Sequence, residues 1–197
     1  MVTSGGLRER RRAQTRQEIA AVAVDLFERQ GFEATTVEQI ARAAGVSEMT
    51  FFRHFSTKDA VVLDDPFDPQ IAAAVAAQPG SLAPLARACR GLRQAVGGLA
   101  LRDQDQVRQR VRIVAQTPSL AGGVWANTAV TQEVLTGVLA EHAAKPDARV
   151  AAAAVMGALT AALLDWGSSD DDEQTLAGML LRALDVLDAP AGGHGSR

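Results

Sequence analysis

Within twelve residues, Ser47 to Lys58, the chain reads SEMTFFRHFSTK. Hydroxyl, carboxylate, guanidinium, imidazole and ammonium groups stand there among three of the chain's six phenylalanines. A second concentration lies upstream, where Arg8, Arg10, Arg11, Arg12 and Arg16 face a single acid, Glu9. Guanidinium and ammonium donors at this density suit phosphate oxygens. Carried into a major groove about 12 Å wide, Arg53 can offer guanine two donors and Glu48 can accept from cytosine N4. Met49 and Phe52 can touch thymine methyls, and Ser47 can reach either kind of base edge. Arg10, Arg11 and Arg12 can meet backbone or an adjacent minor groove. Glu48 equally suits the positive end of a helix, and both readings stand.

Catalytic chemistry finds little support. No HExxH, CxxC, GxSxG or P-loop spacing occurs, and of the three histidines one is His54 and another, His194, lies in the tail. Cys89 is the one cysteine and has no evident histidine partner. The sequence therefore points to no enzyme, no metal and no cofactor. A single cysteine forms no intrachain disulfide, which fits a reducing compartment. The basic start has no apolar region after it, and the Ala-rich uncharged run Val150–Leu164 is shorter than the about 20 residues of a membrane span. A soluble, cytoplasmic protein is expected.

The net charge of −3 alone argues against nucleic acid, but residues 61–197 hold 11 basic and 15 acidic groups. A basic end on an acidic body is the asymmetry of a chain that meets phosphate at one end. A solvated tail without a role is the plain alternative. Hydrophobic residues make up 47% and aromatics only 4%, with no tyrosine, a composition that favours packed helices.

The elements that must position these groups follow from periodicity. Thr15-x-x-Glu18 has the pattern of a capping box, and Ile19, Val22, Ala23, Leu26 and Phe27 then recur on one helix face. Gly31 stops that helix. Thr35 or Thr36 caps a second, with Val37, Ile40, Ala41 and Ala44 as its apolar face, and Gly45 supplies a left-handed stop. Ser47 caps a short third helix over 48–54, so the pair reads as a helix-turn-helix. Helical segments follow over 58 onward, 81–101, 103–116, 120–143, 148–166 capped by Asp147, and from about 174 to 187. The fold class is all-α, with about nine helices. The divisions are a flexible basic arm over 1–14, a DNA-binding domain over 15–56, a helical domain over 57–188 and a tail over 189–197.

The string TRQEIAAVAVDLFERQGFEATTVEQIARAAGVSEMTFFRHFSTKDAVV resembles the DNA-binding domain of the TetR family of transcriptional regulators. Phe27, Gly31-Phe32, Thr35-Thr36-Val37, Ala44-Gly45-Val46-Ser47, Thr50, His54-Phe55 and Lys58 carry the likeness over about 45 residues. The resemblance implies that Thr36, Thr50, His54 and Lys58 grip phosphate. The family usually has tyrosine where this chain has Phe52, so the phenol's phosphate bond does not transfer. Phe51 and Phe55, four residues apart, are expected in the core. His54 can also be a satisfied buried histidine.

The same resemblance implies a C-terminal domain that takes a small-molecule effector and forms a homodimer. The apolar residues for such a pocket are Leu92, Val96, Leu99, Val107, Val111, Val114, Leu120, Val124, Trp125 and Leu163, with Trp125 as the anchor. Ordinary core packing competes for each. Arginines between Arg87 and Arg112 can receive an anionic ligand or form a solvated face. For the dimer, the small-residue helix and its successor offer Val155, Ala158, Leu159, Ala162, Leu176, Met179, Leu180 and Leu184. Two-fold pairing implies a roughly palindromic double-stranded DNA operator. The expected function is a ligand-released repressor. The alternatives are a helical effector-sensing module without operator binding and a small helical enzyme.

Overall fold

The computed structural model describes residues 4–64, 68–97, 104–169, 171 and 174–189. Among them are ten α-helices, one 3-10 turn and no strand. The helices are α1 (Ser4–Gln30), α2 (Val37–Ala43), α3 (Glu48–His54), α4 (Ala60–Leu63) and α5 (Asp68–Ala76). They continue as α6 (Pro84–Gly97), α7 (Gln104–Gln116), α8 (Ala121–Ala140), α9 (Lys145–Ser168) and α10 (Leu176–Asp188). The chain divides into two compact units, one of residues 1–64 with 105–123, the other of 65–104 with 124–197. Residues 105–123, read from sequence as part of the C-terminal domain, thus pack with the N-terminal unit.

In the first unit local signals act as their chemistry dictates. Gly31 has φ 87° and Gly45 φ 66°, the left-handed region where a side chain is strained. Thr36 caps α2 reciprocally with Gln39, and Ser47 Oγ accepts from the Thr50 N–H at 3.1 Å to cap α3. The core gathers Ile19, Phe27, Phe32, Ile40, Phe51 and Phe55 with Ile113 and Leu120. The Phe27 and Phe32 rings stand 4.9 Å apart, and those of Phe51 and Phe55 5.6 Å.

The first helix corrects an expectation. It starts at Ser4 rather than at 15, so the described part of the arm is helical. Thr15 is therefore interior and caps nothing, and Glu18 instead accepts from the Gln14 amide at 2.9 Å. Arginine, glutamate, alanine and glutamine are good helix formers, and nothing in Leu7–Gln14 breaks the run. Two other caps also differ. The α6 helix begins at Pro84, not after Ser81, because proline's fixed φ suits a first helical position. Asp147 lies in the first turn of α9, whose cap is Ala144.

In the second unit the core joins Val75, Cys89, Leu92, Leu135, Leu139, Val155 and Leu184. A Cβ built on Gly91 would stand 2.5 Å from Val75 Cα, so α5 and α6 touch backbone to backbone. Trp166 is fully buried, and its Nε1 donates to Gln174 O at 2.8 Å, fastening the segment before α10. Cys89, also fully buried, has its thiol pushed up from its ordinary value, chiefly by burial. The Ala-rich α9 has the length and apolarity of a membrane span, yet it packs on α6 and α10 and is about one third buried.

That packing bears on the expected dimer residues. Val155, Ala162, Leu176 and Leu184 are buried within their own chain, because α6 and α10 take up that face of α9. Ala158, Leu159, Met179 and Leu180 stay half-buried. The outward face of α9 carries Val150, Ala153, Gly157 and Ala161, all exposed. Around Gly157 a Cβ meets nothing within 4 Å.

Candidate nucleic-acid interface

Seven residues make α3, and the core side of that helix is a single buried ring. Phe51 is 0% exposed, while Met49 and Phe52 are 76% and 52% exposed. The Phe52 ring stands edge-on to Phe51 at 5.5 Å and faces outward. Of the three clustered phenylalanines, Phe51 and Phe55 therefore hold the helix down, and Phe52 does not. Ser47, Glu48 and Arg53 are exposed beside it. Glu48 lies in the first turn, where both of its sequence readings remain compatible with its place.

Hydrogen bonds set the rest state of this surface. Arg53 Nη2 donates to Thr50 Oγ1 at 3.1 Å, and Thr50 Oγ1 lies 3.0 Å from Ser47 Oγ. As acceptor from Arg53, the Thr50 hydroxyl does not spend its own proton on that bond. Thr36 Oγ1 accepts from the Gln39 N–H at 3.2 Å and keeps its own proton to donate. Lys58 is more committed than its motif position suggests. Its Nζ donates to Phe32 O at 2.7 Å and Thr35 O at 3.0 Å and lies 4.1 Å over the Phe32 ring. Two of its three donors are thus spent on the loop between α1 and α2.

An open cleft between the first half of α1 and the end of α3 is lined by Arg11, Arg12, Thr15, Arg53 and His54. Arg10 is exposed on the same helix. Because this stretch is helical, the arginines are held in register with α3. His54 is half-buried, and its Nδ1 has no hydrogen-bond partner among the described residues. Burial first, then the guanidiniums of Arg12, Arg16 and Arg53, hold the imidazole below its ordinary value. Of the two neutral tautomers, the one protonated on Nε2 leaves Nδ1 a lone pair rather than an unpaired N–H, with Nε2 as the donor. The arrangement can seat phosphate along the cleft and present Met49, Phe52 and Arg53 to base edges.

Sequence reasoning counted Arg16 and Arg110 only within runs of arginines and did not reach their joint contact with Asp64. Arg16 donates to His54 O and pairs with Asp64 at 2.6 Å, and Arg110 donates to Val62 O and Asp64 O. The partners stand 38 to 48 residues apart in sequence, beyond any local pattern.

The residues named for an effector pocket scatter. Leu92 and Val96 are buried in the second unit, with Val124 and Leu163 half-buried there. Val111 and Leu120 are buried in the first unit, with Val107 and Val114 half-buried. Trp125 is 70% exposed, so within its own unit it anchors nothing. Leu99 lies outside the described residues. Of the arginines, Arg87 is buried and donates to the carbonyls of Ala76, Gln78 and Val138 at 3.1–3.3 Å. Three helix-end carbonyls, not an anion, satisfy it. Arg93 pairs with Asp185 and Asp188 of α10.

Comparison with known proteins agrees with this geometry. Residues 19–64 match the family model described as bacterial regulatory proteins, tetR family, and residues 82–192 match one described as the MftR C-terminal domain. The chain is 36% identical over 122 residues to the HTH-type transcriptional regulator TcmR of Streptomyces glaucescens, covering 58% of this chain and 54% of TcmR. It thus spans about half of that relative's length. It is 28% identical over 186 residues to MftR of Mycobacterium tuberculosis, a protein named for mycofactocin biosynthesis, covering 91% of this chain and 92% of MftR. Among solved structures it is similar to Bacillus subtilis FadR in complex with stearoyl-CoA, with TM-score 0.56 and 16% identity over 88% of this chain and 97% of that one. Thermus thermophilus FadR in complex with lauroyl-CoA gives TM-score 0.50 and 22% identity over 92% and 97%. At these identities the two structures speak to the fold alone.

Proposed function

This chain belongs to the TetR family of bacterial regulatory proteins, and from that premise we propose that it is a sequence-specific DNA-binding transcriptional regulator, a repressor released by a small, largely apolar ligand. The observation that carries the reading is the two-sided third helix, with Phe51 buried and Met49, Phe52 and Arg53 outward. That face adjoins the basic cleft of Arg11, Arg12, Arg53 and His54. Base readers and phosphate donors share one small surface, as operator recognition requires. In this reading Ser47, Glu48, Met49, Phe52 and Arg53 meet bases, and Arg10, Arg11, Arg12, Thr36, Thr50, His54 and the remaining donor of Lys58 meet backbone.

The reading also takes the protein as a homodimer on a roughly palindromic operator. Support comes from the outward face of α9, an apolar strip of small residues that its own unit leaves open. Ala158, Leu159, Met179 and Leu180 flank that strip as half-buried apolar residues. The effector is an apolar small molecule taken by the second unit. Its relatives are transcriptional regulators, and no enzymatic activity is part of the proposal.

The test is selection of duplexes from a random pool by the full-length protein, followed by affinity measurement at several salt concentrations. The expected outcome is a palindromic consensus whose binding weakens steeply with salt, because each neutralised phosphate releases counterions. A chain that dimerises yet selects no sequence is instead an effector-sensing module. A thermal-shift screen that includes lauroyl-CoA and stearoyl-CoA as probes then addresses the ligand, since binding only the native state raises its stability.

A further inference from the structure

One guanidinium joins the ends of two helices in the first unit. Arg16, on α1, donates to the carbonyl of His54, the last residue of α3. It also pairs with the carboxylate of Asp64, which follows the last residue of α4, at 2.6 Å. Its guanidinium carbon lies 4.1 Å over the ring of Phe55, so its plane is set from a third side. Asp64 is itself held, because Arg110 of α7 donates to its backbone carbonyl at 2.6 Å and to Val62 O at 3.2 Å. Both helix ends carry carbonyls with partial negative charge, and both receive a cation.

We propose that Arg16 and Asp64 are a positioning pair for the recognition helix: the guanidinium fixes the exit of α3, and Asp64 fixes the guanidinium, with neither touching a base. The inference rests on the reading that α3 enters the operator groove. A seven-residue helix has few anchors of its own. Ser47 caps its start, Phe51 is its buried side chain, and Arg16 takes the carbonyl at its end. Hydrogen bonds to base edges weaken steeply with misalignment, so a small swing of an unheld end costs recognition while leaving phosphate contact intact. The job needs a fork. Arginine presents two donor edges in one plane, whereas lysine is a single point charge. Any change that moves Asp64 is felt by α3 through one side chain.

The experiment uses the full-length protein, a duplex selected by the wild type, and a random duplex as reference. Arg16→Lys keeps the charge and loses the fork. Its dissociation constant for the selected duplex is expected to rise about tenfold, with the random duplex changed less than about twofold and the salt slope unaltered. Asp64→Asn removes a negative charge, which by electrostatics alone tightens binding to DNA. The positioning pair predicts the opposite sign, a loss of about fivefold or more on the selected duplex, recovered mostly by Asp64→Glu. Retained binding of the random duplex shows that each variant is folded. Arg16→Lys binding like wild type, Asp64→Asn binding more tightly, or a salt slope reduced in Arg16→Lys would each overturn the inference. A wild type that selects no sequence ends the operator reading itself and takes this inference with it, a result distinct from the others.

Discussion

At the scale of the residue, His54 shows how one side chain is set by several neighbours. Its Nδ1 is buried without a hydrogen-bond partner among the described residues, and Arg12, Arg16 and Arg53 disfavour a further positive charge. The folded-state value lies below the ordinary 6.5, so the folded protein binds fewer protons here than the unfolded chain. The contribution of a neutral His54 to stability is therefore fully present above about pH 6.5 and is lost as the pH falls through the lowered folded value. His54→Gln should flatten the fall in melting temperature between neutral pH and pH 5. Circular dichroism melts of wild type and variant check this, and parallel curves would contradict it. The residue scale also marks the limit of what a motif conveys. Lys58 stands where the resemblance implies a phosphate contact, yet two carbonyls and a ring already hold it.

At the scale of the element, legibility followed the reach of the signal. Caps and left-handed stops act across about three residues, so Thr36, Gly45 and Ser47 could be read directly from the string. The helical start of α1 was hidden, because Arg8–Gln14 has helix propensity but no apolar periodicity to announce it. The faces of α9 were hidden for the opposite reason. A helix apolar around much of its circumference does not say which side its own unit will use, and the structure gives Val155 and Ala162 to the core and Gly157 to the outside. Two glycines on long helices make the contrast measurable. Gly91→Ala places a methyl 2.5 Å from the Val75 backbone, so α5 and α6 must part, at a cost of about 1–3 kcal/mol. Within the single chain Gly157→Ala meets open space and should gain about 0.5–1 kcal/mol of helix propensity. Urea melts of the two variants, at concentrations where the chain is monomeric, should move in opposite directions.

At the scale of the whole molecule, charge and pairing were visible in different degrees. The basic start and acidic remainder were plain in the composition, and the structure keeps Arg10, Arg11 and Arg12 exposed on α1. Pairing could be inferred only as a tendency of the last two long helices, and the half of those residues already spent on the core shows why. Gly157→Leu tests the proposed dimer with little cost to the single chain, since the new side chain starts from open space. Sedimentation should show monomer where the wild type is dimeric. Affinity for a palindromic duplex should fall by at least about a hundredfold, because two linked heads gain that much over one. A variant that stays dimeric would move the interface elsewhere.

The lone cysteine has a use that its burial creates. Cys89 sits on α6 among Val75, Leu92, Leu135 and Leu184, closed to solvent and held as the less reactive thiol. A thiol reagent reaches it only when that packing parts, so the rate of its modification is a clock for the breathing of the second unit. The chain has no other thiol to confuse the reading. A small molecule that stabilises this unit slows the clock in proportion to its occupancy, which turns a silent buried sulfur into a gauge of small-molecule binding.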